Sequence, residues 1–449
     1  MISRKFSQKL MLGMAALAMP AVLAAQDAGA PKDLLPIRDI PAPTAEPVVQ
    51  DAQPVVQETF PALQEWSGRD LDALLDVIEN ITGEGLNPAD YEPEVLRAAM
   101  ASGTAGEVNA AASTSFAWLI EDLRDGRTPM SARKQWFVVD PDPDLMPTNE
   151  MMARALETGD IAGVLDSVKP THRDYARLRE ELAKARQPDR IASIRANMDR
   201  WRWLARDLGP QYLMTNVPEY QLRLTVGDEI IRTYRTIVGK PGRTATPQLA
   251  EEVEGIVFNP TWTVPQSIVK GEGLGAKVLG NPAWARRAGY TATKGENGWV
   301  TVVQQPGPGN SLGQMKLDMP NRHAIFLHDT PSRGLFNRDD RALSHGCIRT
   351  ERALELAITM AILGQGADSQ EAVDISTSGK YTRVPIKKKM PVYITYFTMA
   401  QDIDGNLATF ADIYDRDAPV LASFAQPREI TRPRVTSEEA VEIIDDMRT

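Results

Sequence analysis

Cys347 is the only cysteine in the 449-residue chain, and it stands in the run Ser344-His345-Gly346-Cys347-Ile348-Arg349. Of four histidines, three (His323, His328 and His345) fall within the 25 positions leading up to that thiol. A thiol becomes a nucleophile by losing its proton to a nearby base or by sitting in a positive environment. The scarce residue types able to do this gather around one sulfur, which predicts a cysteine enzyme. Two histidines can serve as base. His328 ends an apolar strand, a rigid element suited to holding a base, and the loop after it can bring it within ~2.6–3.2 Å of the sulfur. His345 is two positions from Cys347 and shares its face if that segment is extended. His323 and His328 differ by five positions, so on a continuous strand they point opposite ways, and His323 reads as a structural or surface histidine. Gly346 allows close backbone approach. The Gly346 and Cys347 N–H groups are natural oxyanion donors, a contribution of ~2.7–4 kcal/mol each in acyl transfer. Arg349 either reads a substrate carboxylate or ties down the loop. Zinc is the competing chemistry, but no carboxylate or second cysteine stands at a recognisable ligand spacing. Neither a metal nor a cofactor is expected.

The N-terminus changes what the lone thiol means. Arg4, Lys5 and Lys9 precede an apolar run from Leu10 to Leu23 and the small residues Ala24 and Ala25, the layout of a secretory signal peptide over 1–25. An exported chain with one cysteine cannot form an intramolecular disulfide, and a free thiol outside the cytoplasm is an oxidation liability unless buried or used. No other stretch is apolar enough to span a bilayer, for which ~20 residues are needed. With 24% charged and 43% hydrophobic residues the chain is ordinary globular material, and a net charge of −10 with no basic tract argues against nucleic acid.

These residues need elements to hold them. Residues 26–60 are rich in Pro and Ala and read as an extended or disordered tether. A helical domain follows over 61–190, with Leu71, Leu74, Leu75 and Ile78 at helical spacing. Helix also runs over 191–207. Strands are predicted at 212–217 and 220–226, then a turn at Gly227-Asp228 and a return strand over 230–238. Further strands fall at 257–262, 324–328 and 392–397, with one helix at 351–363. The fold class is α+β: a mainly antiparallel β domain with a helix over 191–417, preceded by an all-α domain. The 418–449 tail is polar, with a short helix at 437–447.

At this point the residues resemble a known family. The Ser344–Arg349 run, preceded by Ile325-Phe326-Leu327-His328-Asp329-Thr330-Pro331, is similar to the active-site block of YkuD-type L,D-transpeptidases. Val238–Arg243, Phe258–Pro265 and Pro320–Ala324 extend the resemblance to the long, YcbB-like branch. It implies a periplasmic enzyme acting on peptidoglycan tetrapeptide stems as donor and acceptor. Cys347 would attack the third residue's carbonyl, expel the terminal D-Ala and pass the acyl group to a second stem, giving a 3→3 cross-link. His328 would be the base and His345 a supporting residue, with Ser344, Gly346, Arg349 and Trp262 as oxyanion and substrate-binding residues. Carbapenems would acylate the cysteine. Residues of about 263–320 would form a capping loop, with Trp284 and Tyr290 as lid contacts. Water as acceptor, giving an L,D-carboxypeptidase or a lipoprotein-detaching amidohydrolase, is the alternative within the same fold. The small glycan-binding module common in long members is missing, because the helix ending near Ala185 runs almost directly into the next.

Overall fold

The computed structural model describes residues 64–138, 146–296, 298–430, 433 and 435–440. The expected signal peptide and tether lie outside them. The N-terminal region folds as helices because its apolar stripes are closed by good caps. In α1 (Gly68–Asn80) the Ser67 side chain accepts from the Asp70 N–H, and Leu71, Leu74 and Ile78 turn inward. Pro93 opens α2 (Pro93–Ser102), where a missing N–H leaves no bond unmade. Thr104 and Glu107 form a reciprocal capping box at the start of α3 (Ala105–Asp125), with the Thr104 N–H donating to Glu107 at 2.7 Å. α4 (Thr148–Thr158), α5 (Ile161–Ser167) and α6 (Arg173–Lys184) complete this layer. Leu74, Ile78, Phe116, Leu119 and Met152 share its core. Residues 185–187 alone join α6 to α7 (Pro188–Arg202). From α7, Trp201 and the following Trp203 enter a second core with Tyr212, Tyr393 and Phe397.

The β domain begins with β1 (Gln211–Asn216), β2 (Gln221–Val226), β3 (Glu229–Gly239) and β4 (Leu249–Phe258). Gly227 and Asp228 both adopt positive φ, +53° and +62°, as a two-residue type I′ hairpin requires. An insertion follows: β5 (Trp262–Thr263), α8 (Gln266–Gly271), α9 (Leu274–Gly280), α10 (Pro282–Arg287), β6 (Tyr290–Lys294) and β7 (Val300–Gln304). It has its own three-stranded sheet and its own core around Val264, Ile268, Val278 and Val302. The chain then returns through β8 (Met315–Asp318), β9 (Leu327–His328), β10 (Ala342–Ser344) and β11 (Ile348–Thr350). Helices α11 (Ala353–Leu363) and α12 (Ser369–Thr377) precede the long β12 (Thr382–Thr395), and β13 (Met399–Gln401), β14 (Leu407–Thr409) and α13 (Asp417–Phe424) end the fold.

The main sheet runs β10-β3-β11-β9-β8-β4-β12-β1-β2, and an additional β2–β3 pairing closes it on itself. Most pairs are antiparallel; β1–β12, β3–β10 and β9–β11 are parallel. Leu222, Val238, Ile256, Phe258, Leu317, Leu327 and Ile348 form its core with Leu356 and Met360 of α11. The architecture is α+β, as the sequence predicts. Four details differ. Residues 315–318 belong to the main sheet, so the insertion ends before them rather than near 320. Two helices, not one, lie between the thiol and β12. The described part of the helix expected at 437–447, residues 437–440, is not helical. The tail, read only as polar, is packed along part of its length. Val420 is buried in the second core, Arg428 Nε donates to buried Asp122 at 3.1 Å, and Arg127 donates to the Gln426 carbonyl at 2.8 Å.

One half-buried acid sets a pH-dependent stability. Glu251 lies on β4 opposite Val392, and burial pushes its carboxyl up to about 7, against the pull of Arg322. A raised acid favours the folded state below its unfolded pKa and loses that contribution as pH rises through the folded value. Glu251→Gln is therefore expected to raise Tm by about 2–6 °C at pH 8 and to leave it unchanged near pH 4, measured by calorimetry at the two pH values.

Candidate active site

Cys347 sits in the bend between β10 and β11. Gly346 there has φ +116°, and a Cβ on it would lie 3.0 Å from Ile325 Cδ1, so the position requires glycine. The segment is thus not extended, and the same-face argument for His345 and Cys347 does not hold. His345 lies half-buried on the bend. Ser344 fixes the loop: its hydroxyl donates to the Cys347 carbonyl at 2.6 Å and accepts from the Gly346 N–H at 3.2 Å. Of the two expected oxyanion donors, Gly346 is therefore already engaged. Thr246 Oγ1 donates to the Gly346 carbonyl and accepts from the Gly239 N–H, both at 2.8 Å. Tyr414 in turn donates to the Gly239 carbonyl at 2.5 Å.

The thiol donates to the Ala324 carbonyl at 3.6 Å. Ala324 is held at φ +51° in a turn built by Asn321, whose Oδ1 accepts from the N–H groups of His323 and Ile325 and whose Nδ2 donates to the Ile325 carbonyl at 2.7 Å. The strand expected over 324–328 is accordingly only β9, and the parity argument for His323 fails for want of a continuous strand. Its conclusion survives on other grounds, because His323 is buried against Phe137 with ring centroids 4.2 Å apart. Burial lowers it to about 4.

The base candidate is placed by register. β9 and β11 run parallel with Arg349 opposite His328, and β8 runs antiparallel to β9 with Lys316 opposite His328. Paired residues share a face of the sheet, as do residues two apart along a strand. Lys316, His328 and Arg349 therefore line one face at the thiol, with Phe326 under the Lys316 ammonium, and the charges of Lys316 and Arg349 both act on Cys347. His328 is 6% exposed. Its Nδ1 lies 2.5 Å from the Asp329 carbonyl, which can only accept, so Nδ1 carries the hydrogen and Nε2 the lone pair. Burial, helped by the charge of Arg349, lowers His328 to about 3, so the imidazole is neutral at pH 7. Burial raises the half-buried Cys347 to about 11 even though Lys316 and Arg349 pull the other way. The resting site holds a neutral thiol and a neutral imidazole, not an ion pair.

Asp329 anchors the base from the other side. Its fully buried carboxylate accepts from the Gln314 N–H and from Arg333, both at 2.8 Å. A Cβ on Gly313 would stand 2.3 Å from its Oδ2, which leaves room only for glycine. Trp262, expected at the substrate, lies half-buried on β5 and packs against the core of the insertion. Trp284 and Tyr290 stack on each other within the same unit, 5.6 Å apart. Lys316, Asn321, Thr246 and Tyr414 carried no assigned role in the sequence reading. Asn321 alone had a local signal there, as the turn-forming residue after Pro320. Among the described residues no group of three His, Cys, Asp or Glu could hold a metal ion, and no helix is long and apolar enough to cross a membrane.

The fold is α+β, with one thiol on a sharp glycine bend and a buried neutral imidazole on β9, which pairs with the strand that follows the thiol. Comparison with known proteins narrows this. Residues 210–394 match the model of the L,D-transpeptidase catalytic domain of YkuD type, and residues 65–182 match that of a scaffold domain. The chain carries a YkuD-type L,D-transpeptidase catalytic domain behind a scaffold domain, the pairing of YcbB-like proteins. A curated Haemophilus influenzae protein named "Putative L,D-transpeptidase" is 31% identical over 223 residues, a match that spans 46% of this chain and 45%, about half, of that relative. Among solved structures, an L,D-transpeptidase from Mycobacterium smegmatis aligns at 12% identity and TM-score 0.21, over 43% of this chain and 60% of its own. L,D-transpeptidase 1 from Mycobacterium tuberculosis aligns at 11% identity and TM-score 0.18, over 41% and 61%.

Proposed function

We propose that this protein is a peptidoglycan L,D-transpeptidase of the periplasm that forms 3→3 cross-links through a Cys347 thioester. The observation that carries the reading is the shared sheet face at the thiol, with His328 fixed in the tautomer that leaves Nε2 free to accept a proton. Cys347 attacks the carbonyl of the third residue of a tetrapeptide stem as His328 Nε2 takes the thiol proton. The C–N bond to the terminal D-Ala breaks, and His328 returns the proton to the leaving amine. The side-chain amine of a second stem then attacks the thioester, gives its proton to His328 and releases the thiol. The Cys347 N–H is the oxyanion donor of the loop, and Ser344 and Gly346 hold the bend that aims it. Because the resting thiol is raised and the resting imidazole is neutral, the proton passes to the base as the C–S bond forms.

The test is incubation with purified disaccharide-tetrapeptide followed by mass spectrometry. The expected product is a 3→3 dimer, with Cys347→Ala inactive and meropenem adding its mass at Cys347. Free tripeptide without dimer would make water the acceptor, and activity in Cys347→Ala would overturn the thiol mechanism.

A further inference from the structure

Three strands put an unusual row across the site face: Lys316 on β8, His328 on β9 and Arg349 on β11, each in register with the next. Neighbouring strands lie ~4.8 Å apart, so the two cations stand about 10 Å apart at the backbone with the base between them. Neither side chain has an ion pair or hydrogen bond among the described residues. The nearby carboxylates are committed elsewhere, Asp318 to Arg383 at 2.5 Å and Asp329 to Arg333 at 2.8 Å. The Lys316 ammonium rests over the Phe326 ring, 3.8 Å from its centroid.

We infer that Lys316 and Arg349 form a two-cation cradle on either side of His328 that selects an acyl donor bearing carboxylates beside its scissile carbonyl, with Lys316 a specificity-determining residue for the reaction. Half-buried cations without counter-ions are unfavourable, and burial lowers the pKa of both. Such an arrangement is retained where the missing anion arrives with the ligand. The cations do not serve mainly to hold a resting thiolate, since the Cys347 thiol stays raised to about 11 with both of them present. Their charge is left for substrate. This rests on the proposal that Cys347 is acylated at this face, and it adds the class of donor: an anionic peptide.

Alkylation of Cys347 tests the cradle without any peptide. Iodoacetate and iodoacetamide react alike, the sulfur displacing iodide and the thiol proton leaving to the base, and they differ by one negative charge. The readout is the ratio of their rate constants, divided by the same ratio for 2-mercaptoethanol. We expect about tenfold or more for the wild type, a fall to about one in Lys316→Met, and retention in Lys316→Arg. A change in thiol reactivity alone moves both reagents together and leaves the ratio fixed. Should Lys316→Met not fold, protection of the wild type decides: glutarate is expected to slow iodoacetamide and neutral glutaramide is not. A wild-type ratio near one, an unchanged ratio in folded Lys316→Met, or equal protection by both compounds would overturn the cradle. A ratio of one with 3→3 dimer still formed sinks the cradle alone, whereas a high ratio with no peptide turnover sinks the transpeptidase reading alone.

Discussion

His328→Ala is expected to lower kcat/KM by about 10²–10⁴, the range that loss of a positioned general base produces. A merely structural histidine would not change the shape of the pH profile, so the profile is the discriminating measurement. In the wild type the base stays neutral down to about 3 and the nucleophile stays a thiol up to about 11. The pair is then in its reactive protonation state throughout, and kcat/KM is expected to be flat from pH 5 to pH 9. Removing the imidazole leaves only thiolate already formed by solvent, so the residual rate of His328→Ala should climb about tenfold per pH unit toward the thiol pKa. A wild-type acid limb near pH 6.5 would mean that His328 is solvated and unshifted, and would transfer the base role away from it. The same profile for His345→Ala should keep its plateau, because His328 still accepts the thiol proton in that variant.

Much of this arrangement was legible in the sequence, and the parts that were not have a common cause. Local chemistry read well: Gly227-Asp228 closed the expected hairpin, the stripe of Leu71, Leu74 and Ile78 formed α1, and Cys347 stood out by scarcity. The reading failed where it assumed continuity along the chain. Residues 323–326 are shaped by Asn321 into a turn with Ala324 at positive φ, so strand parity had nothing to act on. The bend at Gly346 broke the extended geometry that would have paired His345 with the sulfur. What no local pattern contains is register between distant strands. Lys316 faces His328 only because β8 pairs with β9, and β11 pairs with β9 from the other side. Nor does local sequence show that Trp262 packs against the separate core of the insertion. In the tail, composition reads as polar and gives no sign that Arg428 is buried on Asp122.

The largest loss of stability is expected from Asp199→Ala, far from the thiol. Asp199 is fully buried on α7, and four donors converge on it. Oδ1 accepts from the Arg127 N–H at 2.7 Å and from Arg202 at 3.3 Å, while Oδ2 accepts from the Thr128 N–H and Trp203 Nε1, both at 3.0 Å. Burial alone would raise this acid, but Arg202 and the hydrogen bonds outweigh it and the net shift is downward. Truncation strands two backbone N–H groups and an indole N–H and removes one of the partners of the buried Arg202, a cost of about 3–5 kcal/mol. Calorimetry at pH 7 should show Tm lower by about 6–15 °C. Because the folded pKa is depressed, the contribution is present above the unfolded value near 3.8 and fades as pH falls through the folded one, so the gap between wild type and variant should narrow below pH 4. Activity at 25 °C should survive, since Asp199 touches no residue of the site. It should be lost at a lower temperature than in the wild type, because the turn that Asp199 pins leads along the chain to Phe137, on which His323 packs beside the Ala324 carbonyl that receives the Cys347 thiol. An unchanged Tm in Asp199→Ala would mean that water replaces the carboxylate without loss, and that the junction between scaffold and catalytic domain is held by its aromatic core alone.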